Sequence, residues 1–186
     1  MRTIEQKVCE FSELSKEVQE KVIEKWYENE EYYFLSDDLY ESLCSNVQNI
    51  FDRGFKVYYS LSCCQGDGLN IKGDIDLEKT LTLLFPDMKL RLKNRFLNEI
   101  KIYSNSRNNH YSFSSESDID FECYNDFIST DFENNYLPVI QDHYMDLCRD
   151  LEREGYSVIE YRMDIEEFTD MSECNEYEYF ENGKQF

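Results

Sequence analysis

Residues 55–75, FKVYYSLSCCQGDGLNIKGDI, carry the pattern that decides the predicted fold class. Apolar and polar residues alternate from Phe55 to Cys63, which is typical of a strand with one buried face. A tight turn is expected at Gly66-Asp67-Gly68, because glycine adopts the positive φ that such turns need. Residues 69–75 are then predicted to form the returning strand. The stretch therefore predicts an antiparallel β-hairpin.

Helical periodicity flanks this hairpin on both sides. A helix capped by Ser15 and running to about residue 27 carries an apolar stripe at positions 18, 22 and 26. A second helix opens at Ser36 or Asp37, carries apolar residues at positions 39, 43, 47 and 50, and ends at Gly54. Further helices are predicted over residues 76–84 and 86–98.

The C-terminal half continues this mixture of strands and helices. Strands are predicted over residues 100–104, 111–114 and 118–124, followed by a long helix from Leu137 that ends at Gly155. A strand over residues 156–163 and a short acidic helix come next, and Asn182-Gly183 favours a hairpin turn after residues 176–180. These elements predict an α+β fold, with a mainly antiparallel sheet and amphipathic helices packed on one face. Only 6 Gly and 2 Pro favour a single globular domain over residues 1–186.

The composition narrows the class of protein. An aromatic content of 16% argues against disorder, because disordered acidic chains contain few aromatic residues. No apolar run approaches the roughly 20 residues that span a bilayer, and the N-terminal residues lack the apolar core of a signal peptide. The 7 Cys are dispersed without a CxxC pair, so neither a zinc site nor a disulfide framework is indicated. A reducing cytoplasm without membrane contact is the expected setting.

Charge is distributed very unevenly along the chain. Residues 108–186 hold 21 of the 40 acidic residues but only 4 of the 19 Lys and Arg, and no Lys or Arg lies between Arg107 and Arg149. Repulsion among these acidic side chains destabilises a compact fold. We therefore expect either a basic partner or a surface that resembles a polyanion. The alternative is a solvated face that keeps the protein soluble.

The acidic residues recur at regular spacing in three places. Alternation places three of them on the outer face of a strand, about 6.6 Å apart, and three more recur every fourth residue of the long helix, about 6 Å apart along its axis. The third group lies in the C-terminal tail. The net charge of residues 108–186 equals that of about 29 Å of B-DNA, close to one helical turn, if the acids share a face. The predicted partner-binding acids are Asp118, Asp120, Glu122, Asp142, Asp146, Asp150, Glu173, Glu176 and Glu178.

Basic residues concentrate in the segment from residue 89 to residue 107. Lys89 and Lys93 are four residues apart, as are Arg91 and Arg95, so each pair stacks on a helix, and Glu99 is the only acid in this segment. The segment can bind nucleic acid or the acidic half of a second copy of the chain. It can equally neutralise acids of the same molecule.

The sequence carries weak signals for chemistry. The turn at Gly66, Asp67 and Gly68 can present backbone N–H groups to an anion, but the Lys-Ser/Thr pair of a P-loop does not follow it. The alternative is a purely structural role, in which the turn closes a hairpin and glycine is needed for positive φ. Cys63 and Cys64 are expected to be structural, because neither His110 nor His143 lies in a recognisable motif. We therefore predict no catalytic residues, no metal and no cofactor.

Four segments together resemble a family of small proteins encoded by phages and prophages, mostly of unassigned activity. They are FSELSKEVQEK (residues 11–21), CQGDG (64–68), HYS (110–112) and NEYEYFENGK (175–184), and they follow the same order as in that family. The resemblance covers nearly the whole chain and implies a viral context in the cytoplasm of a host cell. Small acidic proteins of that kind often inhibit host defences, as some anti-CRISPR and anti-restriction proteins do.

Charge and resemblance together lead to one leading hypothesis. The protein is predicted to be a phage-derived, anti-CRISPR-like inhibitor that acts stoichiometrically, with a host defence nuclease as its partner and a CRISPR effector as the first candidate. Its acidic surface would compete for a basic nucleic-acid-binding groove. One alternative is a phage accessory protein that binds nucleic acid through residues 89–107. Another is a small enzyme that acts on a nucleotide. The sequence predicts no oligomeric state.

Overall fold

The computed structural model describes residues 7–28, 33–47, 50–52, 54–61, 67–105 and 119–186. Helices and antiparallel sheets make up these residues, so the predicted α+β class is confirmed. In chain order the elements are β1 (Val8–Glu10), a 3-10 turn (Phe11–Glu13), α1 (Lys16–Glu28), α2 (Tyr33–Val47), β2 (Lys56–Ser60), β3 (Gly68–Asp74), α3 (Leu77–Leu84), α4 (Leu90–Glu99), β4 (Ile100–Ser104), β5 (Ile119–Cys123), α5 (Asp126–Asn135), α6 (Leu137–Arg162), α7 (Ile165–Cys174) and β6 (Glu178–Phe180).

The chain divides into two compact units. The terminal unit consists of residues 1–39 and 156–186, and the central unit consists of residues 40–155. A single domain over residues 1–186 stays a prediction.

The terminal unit joins the two ends of the described chain. β1 pairs antiparallel with β6, with Cys9 opposite Tyr179, although these residues are 170 positions apart. Phe11 is fully buried beside Phe168, at 4.7 Å between ring centroids, and Trp26 packs edge-on against Phe168 at 5.7 Å. Aromatic residues from α1, α7 and the 3-10 turn thus form a shared core, because each contributes one apolar side to it.

The two end segments confirm part of the prediction. The backbone carbonyl oxygen of Ser15 accepts hydrogen bonds from the amides of Val18 and Gln19 at the start of α1, as expected of a helix that begins there, and the Asn182-Gly183 turn is present, with Gly183 donating to the carbonyl oxygen of Phe180 at 2.8 Å. A hairpin bridge links Tyr179 to Gln185. The ladder partner of β6, however, is β1, which the sequence analysis did not predict.

Gly183 has a positive φ of 80° and no room for a side chain. A Cβ atom built there would lie 2.8 Å from Val18 Cγ1 and 2.8 Å from Val22 Cγ2. We therefore expect Gly183→Ala to lower the free energy of unfolding by at least about 2 kcal/mol, through left-handed backbone strain and overpacking. Urea unfolding followed by fluorescence of Trp26, the single tryptophan, measures the change.

Gly54→Ala is the matched control for this prediction. The φ of Gly54 is 99°, but no described atom lies within 4 Å of the added Cβ. This variant therefore has the strain of a positive φ without a steric clash. The free energy of unfolding should therefore fall less than in Gly183→Ala. Urea unfolding followed by far-UV circular dichroism measures it for both variants. Equal losses would show that the contacts with α1 cost nothing.

A four-stranded antiparallel sheet in the order β2-β3-β4-β5 organises the central unit. The predicted hairpin is confirmed by β2 and β3, with Val57 opposite Ile71. β4 pairs with β5, where Ile102 lies opposite Phe121, and the strand predicted at residues 111–114 lies outside the described residues. On one face of this sheet Ile71 contacts Tyr144 of α6, and Phe121 contacts Phe132 of α5, so helices pack on that face as predicted.

Two helix starts differ from the prediction. The turn at Pro86-Asp87 precedes α4, which begins only at Leu90, because the proline follows directly on the end of α3 and interrupts the helical run. α2 begins at Tyr33 rather than at Ser36 or Asp37. Ser36 and Asp37 do not mark the start of the helix, because Ser and Asp cost only a few tenths of a kcal/mol inside a helix.

The predicted strand over residues 156–163 is wrong, because α6 continues through Gly155 to Arg162. Burial recurs at helical spacing along its whole length, at Tyr144, Cys148, Leu151, Gly155 and Ile159. A glycine inside a helix costs only about 1 kcal/mol relative to alanine, so a continuous buried stripe outweighs it. The absent side chain of Gly155 therefore does not end the helix.

Candidate protein-interaction surface

The predicted strand row of acids lies on the exposed face of the central sheet. Asp120 and Glu122 are exposed on β5, while Ile119 beside Asp120 is buried, as the alternation predicts. Asp118 lies outside the described residues. Cross-strand register places Asp120 opposite Tyr103 and Glu122 opposite Lys101, so the row belongs to a two-strand surface rather than to β5 alone.

Lys101 offsets part of the charge on this face. Its Nζ lies 3.4 Å from Asp74 Oδ2, and Glu122 lies directly opposite it in the ladder. Asp120 Oδ2 accepts a hydrogen bond from the amide of Asn105 at 3.0 Å. This end of the face thus carries three carboxylates and one ammonium group, which leaves it negative.

The helix row is confirmed as an exposed stripe, and it is partly paired. Asp142, Asp146 and Asp150 are exposed on α6 at intervals of four residues. Arg149 Nη1 lies 3.1 Å from Asp146 Oδ1, and Arg153 Nη2 lies 2.5 Å from Asp150 Oδ1. Exposed pairs of this kind contribute about 0–1 kcal/mol, so they leave both arginines available for exchange with other charges. Asp142 makes no ion pair with a residue that the structure describes.

The tail acids lie in the other unit. Glu173, Glu176 and Glu178 are exposed in the terminal unit, whereas the strand row and the helix row belong to the central unit. Glu178 also lies opposite Glu10 in the β1–β6 ladder, a like-charge pairing that costs stability. The predicted acids therefore fall into two separate groups.

Two aromatic side chains stand in solvent at the β5–α5 turn. Tyr124 is 95% exposed and Phe127 is 88% exposed, and the exposed acids Glu122 and Asp126 adjoin them. The side chain of Asn125 caps α5 by accepting from the amide of Ile128. Phe127 and α5 were not predicted from the sequence, although the asparagine cap and the apolar spacing of positions 128 and 132 are visible signals in it.

The basic segment divides into internal and external residues. Lys93 Nζ donates to Thr82 at 2.7 Å and lies 3.6 Å from Glu78, so it acts within the same molecule, as Lys101 does. Arg91 and Arg95 are exposed one turn apart on α4, and Lys89 is exposed just before its first turn. The alternative that the segment neutralises acids of the same molecule thus holds for Lys93 and Lys101.

The predicted tight turn at Gly66-Asp67-Gly68 is corrected in part, because Gly68 already belongs to the returning strand β3. Asp67 Oδ1 accepts a hydrogen bond from Ser60 Oγ at 2.9 Å, and Gly68 lies opposite Ser60 in the ladder. The returning strand thus begins at Gly68 rather than at Leu69, and β2 ends at Ser60 rather than at residue 63. Gly66, Cys63, Cys64 and His110 lie outside the described residues.

Two of the described thiols, those of Cys148 and Cys44, are poorly suited to nucleophilic chemistry. Burial raises the pKa of the Cys148 thiol to about 12, so the thiolate is scarce at neutral pH. Burial also raises the pKa of Cys44. A shallow, open pocket of about 300 Å³ lies beside the α3–α4 turn, lined by residues 84–88 and Tyr136, and it holds one acid, Asp87. Over the part of the chain that the structure describes, no three His, Cys, Asp or Glu converge to hold a metal ion.

Comparisons with known proteins add no relative. No protein-family model matches this chain, no curated protein matches it, and no solved structure matches it. None of the described helices is both long and apolar enough to cross a membrane.

Proposed function

We propose that this protein is a stoichiometric inhibitor that occupies the basic nucleic-acid-binding groove of a nuclease. One observation carries the proposal: residues 119–148, here called the acidic stretch, contain no Lys or Arg and expose six carboxylates. These are Asp120, Glu122, Asp126, Glu133, Asp142 and Asp146. A groove that binds phosphates through Lys and Arg offers the complementary charge.

The choice of target rests on the sequence. The resemblance to phage and prophage proteins favours a host defence nuclease, and an RNA-guided CRISPR effector is the first candidate. Such an effector holds its heteroduplex in a positively charged channel. Carboxylates presented to that channel would speed association and displace the phosphates that the channel normally binds.

Charge reversal in the strand row tests the proposal. We expect the Asp118→Lys, Asp120→Lys, Glu122→Lys variant to lose inhibition about 10- to 100-fold, because like charges would then face each other across the interface. The assay measures cleavage by purified RNA-guided nucleases at increasing inhibitor concentration. The side chains of Asp120 and Glu122 are exposed, so the circular dichroism spectrum should not change.

A variant with the same change in net charge is the matched control. Glu17, Glu20 and Glu24 are exposed on α1 in the terminal unit, and their reversal to Lys alters the total charge equally. This control should inhibit as well as the wild type. Equal loss in both variants would mean that net charge alone, and not the acidic stretch, determines inhibition.

Salt provides an independent measurement. Binding to the nuclease should weaken steeply between 50 and 300 mM NaCl. The Debye length, the distance over which charges interact, falls as ionic strength rises and is below about 10 Å above 0.1 M. Isothermal titration calorimetry at several salt concentrations gives the slope. An affinity that stays constant over this range would contradict the electrostatic mechanism.

A second function, direct binding of nucleic acid, is favoured by the two exposed arginines of α4. Arg91 and Arg95 are one helical turn apart and make no ion pair with any described residue. A gel shift with plain duplex DNA separates the two functions. The inhibitor proposal expects no shift, whereas direct binding expects a salt-sensitive shift that Arg91→Ala, Arg95→Ala removes.

A further inference from the structure

The β5–α5 turn exposes more aromatic surface than its local structure requires. Tyr124 and Phe127 are 95% and 88% exposed, three residues apart across the start of α5. A large apolar side chain that stays in water forgoes the favourable free energy of burial. Single exposed apolar residues are common on protein surfaces, but two almost fully exposed rings on one turn indicate a contact surface.

The turn that carries these rings is held in place by its own hydrogen bonds and core contacts. Asn125 Oδ1 accepts from the amide of Ile128 at 3.3 Å, and Cys123 Sγ donates to the carbonyl oxygen of Asn125. Ile128 and Phe132 anchor the same helix in the core. Binding of a partner therefore costs little backbone entropy at this turn, and the backbone that carries the two rings is preorganised for contact.

Carboxylates lie close in sequence to both rings. Glu122 lies two residues before Tyr124, Asp126 lies directly before Phe127, and both acids are exposed. No Lys or Arg occurs between positions 119 and 148. This combination of aromatic faces and carboxylates disfavours nucleic acid, whose phosphates the acids would repel, although exposed rings can stack on bases.

We propose that Tyr124 and Phe127 form an anchor that binds arginine side chains of a basic protein partner, an inference that rests on the proposed function. A guanidinium group is planar, stacks on aromatic faces, and donates two parallel hydrogen bonds to a carboxylate. Glu122 and Asp126 would accept those bonds while the rings cover the guanidinium plane. The ammonium group of lysine binds as a point charge and fits this arrangement less well.

The size of the anchor agrees with a central role in an interface. Two aromatic side chains bury about 300–500 Å² together, against about 800 Å² per partner in an interface of ordinary size. Aromatic residues and arginine also dominate the energetics of such interfaces. The remaining area would come from the acids of the acidic stretch.

Two short peptides of equal length, one with six arginines and one with six lysines, test the inference on the full chain. Wild type should bind the arginine peptide at least about 5-fold more tightly, with the aromatic NMR signals of Tyr124 and Phe127 shifting. The Tyr124→Ala, Phe127→Ala variant should lose this preference. Tyr124→Leu, Phe127→Leu keeps apolar area without the π-faces and should lose it as well. Tyr161→Ala, Phe186→Ala removes two exposed rings of the terminal unit and should keep it.

The outcomes that overturn the inference are distinct from those that overturn the proposed function. Equal affinity for the two peptides, a preference that survives in the double alanine variant, or tighter binding of oligo-dT would each overturn the anchor. If the arginine preference is found but no nuclease is inhibited, the anchor stands and the proposed function falls. If the peptides are bound equally but charge reversal still abolishes inhibition, the proposed function stands and the anchor falls.

Discussion

Replacing Tyr144 with alanine is expected to lower the free energy of unfolding by about 4 kcal/mol, because the variant loses both a buried ring and a set of buried hydrogen bonds. Tyr144 is only 3% exposed and packs beside Phe51 on the inner face of the central sheet. Its removal leaves a cavity in the core of that unit. Urea unfolding followed by far-UV circular dichroism measures the loss.

The hydroxyl group of Tyr144 completes the backbone hydrogen bonding of β3. The β3–β4 ladder pairs residues only as far as Gly73 and Ser104, and Ile71 lies beyond that point. The amide of Ile71 donates to Tyr144 Oη at 3.1 Å, and Ser104 Oγ donates to the carbonyl oxygen of Ile71 at 2.7 Å. Tyr144 Oη in turn donates to Asn70 Oδ1 at 2.7 Å. Side chains thus satisfy the groups that the ladder leaves unpaired.

Tyr144→Phe separates the hydroxyl from the ring. This variant keeps the ring but leaves the amide of Ile71 without its partner, so we expect a loss of about 1–3 kcal/mol. A loss equal to that of the alanine variant would assign the whole effect to the hydrogen bonds. No loss would show that water replaces the hydroxyl.

The same comparison has a predictable dependence on pH. Burial raises the pKa of the Tyr144 hydroxyl above its ordinary value of 10.0. The neutral form is therefore favoured in the folded state, and its contribution is complete below pH 10 and is lost as the pH rises above that value. The difference in stability between wild type and Tyr144→Phe should shrink above pH 10. A constant difference would contradict the burial of this hydroxyl.

Phe132→Ala is expected to cost a similar amount, about 3–5 kcal/mol, because its ring is the centre of an aromatic cluster. Phe132 is fully buried on α5, with ring centroids 5.2 Å from Phe121, 5.4 Å from Phe96 and 6.3 Å from Tyr136. These contacts join the edge strand β5 to α4 and α5. Truncation removes contacts with all three partners at once.

Phe127→Ala is the matched control, since it deletes the same side chain from the same helix. Phe127 is 88% exposed, so its removal should change stability by less than about 0.5 kcal/mol. Both variants are compared by urea unfolding at the same pH. Similar losses in the two would mean that Phe127 is buried in solution and would also remove the basis for the arginine anchor.

Local patterns in the sequence were good guides where each element satisfies itself. The hairpin of β2 and β3 was predicted because the alternation of apolar and polar residues acts over a few residues, and α1 was predicted because its apolar stripe does. α6 shows the limit of this reasoning. Gly155 was taken as a helix end on local preference, but the buried stripe on either side of it adds more stability than glycine removes.

The candidate surface was predicted in part for the same reason. Exposure of Asp120, Glu122 and the α6 acids follows from periodicity within single elements. The pairing of Lys93 with Glu78 and of Lys101 with Asp74 depends on how neighbouring elements pack, so the sequence left the role of the basic segment open. Phe127 was missed because an exposed phenylalanine carries no periodic signal.

The sequence by itself determined the α+β class, the helices with strong apolar stripes, and the unequal distribution of charge, because each depends on residue type and short-range spacing. Only the tertiary structure decided that β6 pairs with β1 across 170 positions, that α6 continues through Gly155, and that Tyr144 closes the gap beside β3. A three-residue strand carries too little pattern to identify its partner. Its place is set by the buried contacts that the whole chain makes available.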